Sequence, residues 1–454
     1  MRDSRGIEKT AFGHLKKLVS FRTNVFDDEG FSSHNRCNDY LAGELERLGF
    51  STRRFEFEGR PSVVGWRGKE NSRTFVFNGH FDIAADNQDW NGFHLTESEL
   101  NGREIIRGKA TADMKAGIAC FLAGLEGMEF SEKSGRVAAM FVSDEETGGT
   151  RGTKAVLAKC LAEKIIPENK SFVVVGEPTK LEVTTKRRAS YLYRIRIPRN
   201  REMHSASGLK KVTENARPLH SAHTSVSAFR DGRQKHPLFE LSQKYFAGKL
   251  MGVQEIRVGG VSESLHSSAP NVVPSIGRAY FDPKRIPESG SHALLLFIQK
   301  LFFPPFHSNF SHYGITICPN RLERMEHEYV LWLDIRIMNN NRRQMNQSVS
   351  RLAKECGIPK SGVSLFRHKH SLEEDGKWPK TVSDAASRVL GFPVSHMQEG
   401  RGQSDASFFA EKGIPVVELG CEGANWHSPN EFITKHSLRV LPKIYAETIK
   451  AALA

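Results

Sequence analysis

Three apolar runs along the chain each close on polar residues: TFVFNGHFDIA at 74–84, RVAAMFVSDEE at 136–146 and SFVVVGEP at 171–178. Continuous apolar runs of this length predict strands buried on both faces of a mostly parallel sheet. Between them, MKAGIACFLAGLEGME (114–129) and RGTKAVLAKCLAEK (151–164) predict helices, so the order strand, helix, strand, helix, strand predicts an α/β layer sandwich. Such sheets collect ligands at the carboxyl ends of their strands, where the acidic residues of these runs fall.

The pattern changes near residue 185. ASYLYRIRIP (189–198), MGVQEIRVGG (251–260), VVPSIGRAYFD (272–282) and YVLWLDIRIM (329–338) alternate apolar with polar positions, and SHALLLFIQKLF (291–302) and RRQMNQSVSRLAKECG (342–357) read as helices. Alternation predicts an antiparallel sheet with helices on one face, a smaller α+β domain over 185–374. Helix and buried-strand patterns return in TVSDAASRVLG (381–391) and IPVVELG (414–420). The expectation is therefore a catalytic domain of 1–184 and 375–454 with a second domain inserted.

A chain of 454 residues, 39% of them hydrophobic, can bury two cores. No window approaches twenty uncharged apolar residues, and the start, MRDSRGIEKTAFGHLKKLV, has no apolar secretory segment, which predicts a cytoplasmic protein without a membrane partner. Cys37, Cys120, Cys160, Cys318, Cys356 and Cys421 lie far apart with no CxxC, so neither a disulfide framework nor a thiolate zinc site is expected. The formal charge of +13 is compatible with nucleic acid, an acidic substrate or a basic surface.

Candidate chemistry sits at the ends of the apolar runs. His80 and Asp82 are two apart and so face one side of a strand end, where His80 suits a metal ligand and Asp82 the carboxylate that orients its ring. Asp113, in TADMKAG, precedes a helix and reads either as its N-terminal cap or as a further ligand. SDEETGG (143–149) places three carboxylates in a row after a buried strand, which is costly unless cations are present. Glu177 ends a strand in GEPT, and His427 lies in GCEGANWHSPNEF (420–432). Two imidazoles with several carboxylates suit zinc, manganese or cobalt.

The motifs GHFD, ATADMKAG, SDEETGG, GEPT, GQSDAS and HSPNE, in this order over nearly the whole chain, resemble the co-catalytic zinc amidohydrolases and peptidases that include acetylornithine deacetylase, succinyl-diaminopimelate desuccinylase, aminoacylase and glutamate carboxypeptidase. The resemblance implies a zinc-exopeptidase-like fold, two zinc ions (cobalt or manganese as substitutes), and hydrolysis of a linear amide. It places His80 and Glu177 on one metal, Glu146 and His427 on the other, Asp113 on both, and Glu145 as general base. GEPT, where some relatives carry Asp, is closer to the deacylase and desuccinylase branches. That implies an N-acyl amino acid substrate, with a dipeptidase or carboxypeptidase as the alternative.

In this family a histidine of the smaller domain, often from the neighbouring subunit of a homodimer, stabilises the oxyanion. His204 fits that segment, although Asn200 stands where the family has glycine, and His220 and His223 compete. Asn271 in NVVPS (271–275) matches the substrate-binding asparagine; Arg278, Arg285 and Arg336 compete for the substrate carboxylate, Arg336 through the DIR at 334–336, and Ser404 and Asp405 of GQSDAS (402–407) are expected to shape the pocket. Nucleic-acid binding by the basic run at 184–201 remains as a rival of another class, as does a non-catalytic binding module. The alternation of strand faces argues against the first, and the intact ligand set against the second.

Overall fold

The computed structural model describes residues 4–25, 32–84, 90–129, 135–199, 210–215, 237–249, 253–259, 276–281, 289–302, 306–310, 314–397 and 403–454. Its contacts divide the chain into two units, one of residues 1–187 and 372–454, the other of residues 188–371.

The first unit opens with helices α1 (Ser4–Ser20) and α2 (Ser32–Arg47) and the hairpin β1 (Ser51–Phe57) and β2 (Arg60–Gly68). There follow β3 (Thr74–His80), β4 (Thr96–Leu100), β5 (Arg103–Arg107), α3 (Ala116–Glu126), β6 (Arg136–Val142), α4 (Thr153–Ala162), β7 (Ser171–Val175) and β8 (Val183–Thr184). The main sheet runs β1, β2, β6, β3, β7, Val416–Glu418, β8, His396–Met397. Its four middle strands, from β6 through β3 and β7 to Val416–Glu418, are mutually parallel, while β1 and β2 join antiparallel on one side. The sheet is thus mixed, with the parallel core that the apolar runs predict.

Every residue of β3 and β6 is buried. Because side chains alternate across a strand, Phe75 and Phe77 of β3 and Val137, Ala139 and Phe141 of β6 face the core under α1, α3 and the C-terminal helix Lys435–Leu453. Val76, Ala138, Met140 and Val142 face the opposite core, with Val156, Leu157 and Cys160 of α4 and Phe408 and Phe409. Phe77 and Phe121 stack with ring centroids 4.2 Å apart. All six cysteines are buried and none forms a disulfide.

In the second unit Thr316–Arg324, Glu328–Ile337, Ala189–Pro198 and Val363–Lys369 form one antiparallel sheet, and Lys210–Asn215, Ile276–Phe281 and Val253–Gly259 form another. The alternating pattern anticipates the antiparallel pairing but not the division into two ladders. Periodicity states which face a residue takes and says nothing of its cross-strand partner. Among the described residues no helix is long and apolar enough to cross a membrane.

One close approach fixes the floor of the chemistry. Gly117, at the start of α3, lies so near Gly176 that a Cβ there would meet the Gly176 carbonyl oxygen at 2.5 Å, whereas a Cβ at Gly13 within α1 meets nothing within 4 Å. Gly117→Ala should therefore lower stability by roughly 1–3 kcal/mol through overpacking against backbone. Gly13→Ala should raise it by roughly 0.5–1 kcal/mol through helix propensity. Urea unfolding monitored by circular dichroism checks both signs.

Candidate metal centre

The parallel strands deliver their ends to one edge, so acids that are distant in sequence meet there. His80 is the last residue of β3, Glu145 and Glu146 begin the short turn after β6, and Glu177 follows β7 by two residues. Asp113 stands in the turn Thr111–Lys115 that leads into α3, and His427 in the loop between Gly423–Ala424 and Phe432–Thr434.

Asp113 is the hub. Its Oδ1 lies 3.0 Å from His80 Nε2 and its Oδ2 lies 2.8 Å from His427 Nε2. His80 Nε2 is also 4.0 Å from Glu177 Oε1, and His427 Nε2 is 2.9 Å from Glu146 Oε1. The ligand atoms of His80, Asp113 and Glu177 lie within 4.8 Å of one another, as do those of Asp113, Glu146 and His427, and those of His80, Glu145 and Glu146. Two three-residue clusters sharing one carboxylate fit a pair of divalent cations with a bridging ligand, and the donor set of imidazole nitrogen and carboxylate oxygen is that expected of zinc, cobalt or manganese.

Asp82, fully buried, braces both sides of this arrangement. Its carboxylate accepts the backbone N–H of Glu145 at 3.3 Å and of Glu146 at 3.1 Å. Its Oδ1 stands 3.4 Å and its carbonyl oxygen 3.2 Å from His80 Nδ1, leaving His80 Nε2 to face Asp113. A carbonyl and a carboxylate at Nδ1 fix the ring's orientation, the arrangement that suits an imidazole to bind a metal through its other nitrogen. His427 takes a left-handed backbone conformation, φ 58°, a strained state that persists where the surroundings over-determine it.

Electrostatics mark the same place. Burial lifts the Glu146 carboxyl to about 7, with the His427 charge opposing and Asp113 and Glu145 adding. Burial likewise lifts Glu177 well above the carboxylate range, helped by the charge of Asp113. For Asp113 burial acts upward, but hydrogen bonds from His427 and His80 outweigh it and hold the group below its usual value. Burial presses His80 and His427 down, and the neighbouring carboxylates raise both well above the usual imidazole value. The carboxyls of Glu146 and Glu177 and the imidazoles of His80 and His427, all pushed upward, describe a pocket short of positive charge.

The other anticipated residues separate into groups. Ser404 donates its hydroxyl to Glu418, and Asp405 accepts the Thr153 hydroxyl at 2.6 Å. Arg336, in the second unit, donates from Nε to Asp334 at 3.0 Å. Arg278 pairs through its backbone with Thr213 and Arg257. His204, His220, His223, Asn271 and Arg285 lie outside the described residues. The basic run divides: Lys186 reaches Glu373 at 3.1 Å, and Arg187 grips the fully buried Glu418 through Nε and Nη2.

Glu418 and Glu431 lie in segments quoted above, but neither takes a role from the sequence alone. Glu418 ends the fourth parallel strand in IPVVELG, the same signal of an acid closing an apolar run that marks Glu177. A separate cluster, His14, Glu44 and Glu126, is bridged by Arg47, which pairs with both glutamates. A cleft of about 490 Å³ lined by Arg103, Lys180, Phe392, Val394, His436 and Arg439 contains none of the clustered residues.

Buried imidazoles and carboxylates gathered at the carboxyl edge of an α/β sheet mark the class of proteins built around a divalent-metal centre. Within that class the chain belongs to peptidase family M20/M25/M40, whose family model matches residues 76–451. It is 23% identical over 440 residues to a succinyl-diaminopimelate desuccinylase from Nautilia profundicola, covering 96% of this chain and 98% of the relative. It is 25% identical over 456 residues to a protein of the same name from Psychromonas ingrahamii, covering 97% of each. Among solved structures, a di-peptidase from Saccharomyces cerevisiae superposes with a TM-score of 0.62 at 14% identity over 99% of this chain and 97% of that one. An M20 family metallo-carboxypeptidase from Sulfolobus solfataricus gives 0.61 at 14% identity over 98% and 99%.

A ligand that binds only the folded state stabilises it by mass action, by about 2.7 kcal/mol at one hundred times its Kd. Zinc or cobalt added to chelator-treated protein should therefore raise the melting temperature, and His427→Ala should reduce the rise. A melting curve that ignores both cations would dissolve the assignment of this cluster.

Proposed function

We propose that the protein is a di-zinc hydrolase that removes the acyl group from an N-acyl amino acid of the succinyl-diaminopimelate or acetylornithine type. The observation that carries this reading is the Asp113 carboxylate, one oxygen facing His80 and the other His427. Desuccinylase-named relatives that span 96–97% of the chain support the substrate class.

In this reading His80 and Glu177 would hold one cation, Glu146 and His427 the second, and Asp113 both. Such a pair supplies polarisation of the amide carbonyl and acidifies a water molecule to a pKa of about 7. Glu145 stands on the same turn as Glu146, with its backbone N–H pinned by Asp82. It takes the proton of the attacking water and returns it to the departing amine nitrogen, so a single carboxylate serves as base and then as acid. Asp82 keeps His80 facing the site. His204 donates to the oxyanion, and Asn271, Arg336 and Ser404 bind the substrate, its carboxylate meeting the planar guanidinium. Residues 185–374 act as a lid and dimerisation domain of a cytoplasmic homodimer that binds neither nucleic acid nor membrane.

Glu145→Gln should keep two equivalents of zinc and lose roughly 10²- to 10⁴-fold in kcat, the usual range for a general acid–base. Metal analysis beside turnover of N-succinyl, N-acetyl and dipeptide substrates reads this out. Undiminished turnover would remove Glu145 from the chemistry, and faster turnover of dipeptides than of N-acyl amino acids would replace the deacylase by a dipeptidase.

A further inference from the structure

Glu431 lies four residues beyond His427 and is buried, yet no role above uses it. Its two oxygens accept three backbone N–H groups from one short segment. Ala110 donates to Oε2 at 2.8 Å, and Ala112 and Asp113 donate to Oε1 at 2.7 and 3.0 Å. The Glu431 carbonyl also accepts the Gly108 N–H at 3.1 Å. The register explains the encounter: Phe432 and Ile433 pair with Arg107 and Ile106 of β5, so the residue before that strand faces the segment after β5.

That segment does not take its shape unaided. Ala110 has φ 54°, a left-handed conformation that costs a residue with a Cβ roughly 1–2 kcal/mol, and its N–H is among those Glu431 receives. A buried carboxylate is itself expensive unless donors converge on it, and here three backbone donors do. Removing the carboxylate therefore leaves three N–H groups of the Asp113 segment without their acceptor.

We infer that Glu431 is a positioning residue of the metal centre: it fixes the backbone of Asp113 and joins that backbone to the loop of His427, so that the Asp113 carboxylate is presented to both imidazoles together. The inference rests on the reading above that Asp113 serves both cations.

The test titrates apo wild type, E431Q and E431D with zinc against a chromophoric chelator, and follows unfolding of the same apo-proteins. E431Q keeps the volume of the side chain and replaces one acceptor oxygen by an NH₂ group that confronts a backbone donor. Its zinc affinity should fall roughly 10- to 100-fold, the usual effect of losing a group that orients a ligand, and the second equivalent should weaken most. A clamp that serves folding alone would lower the stability of the apo-protein and leave the zinc titration of the folded protein unchanged, which overturns the inference. Should E431Q not fold, E431D decides by the same titration, because it keeps the carboxyl group but is one methylene shorter. Wild type that takes up no zinc overturns the reading of Asp113 together with this one, whereas wild type that binds two equivalents beside an unaltered E431Q overturns this one alone.

Discussion

Negative charge without a matching positive charge is the constraint around which the first unit is built. Asp82, Asp113, Glu146 and Glu177 are buried or nearly so at one edge of one sheet, with His80 and His427 among them. Ionised carboxylates so placed repel one another and lose their hydration, and only partners or cations make the arrangement affordable. Burial and the neighbouring carboxylates push the carboxyls of Glu146 and Glu177 upward, the mark of this unmet charge. A divalent cation answers the same demand with a charge that also activates water.

The surrounding structure holds the donors against that repulsion mostly through backbone amides. Asp82 receives the N–H groups of Glu145 and Glu146, and Asp144 those of Arg151 and Gly152. Glu431 receives three N–H groups, while Arg187 and Ser404 close on Glu418. Each acid that does not face the cluster organises a loop carrying one that does, or closes a neighbouring strand. Tight packing beneath, as at Gly117 against Gly176, leaves these loops little room to relax.

The cluster was legible in the sequence because its candidate ligands stand at abrupt changes of pattern, where apolar runs give way to His80, Glu146 and Glu177. The parallel core was legible for the same reason, since strands buried on both faces are continuous apolar words. The edges were not. β1 reads STRRFEF with mixed exposure, and β8 and His396–Met397 have two residues each, too few to show a period. Helix limits differ by a few residues: 114–129 was expected and Ala116–Glu126 is found, the usual ambiguity where terminal turns tighten. Glu431 was out of reach because its partners are main-chain amides more than three hundred residues earlier, and amides carry no side-chain signature.

The remoteness of His427 from Asp113 along the chain has a bearing on biosynthesis. Translation delivers the strands bearing His80, Glu146 and Glu177 early, then interposes residues 188–371 before the loop that completes the cluster emerges. Until then a nascent polypeptide holds an acid-rich sheet edge lacking one of its imidazoles and the strand Phe432–Thr434 that pairs beside it. Domains ordinarily mature in the order of their synthesis; here the earlier-made portion cannot complete its sheet or its cluster until Val416–Glu418 and the His427 loop have emerged.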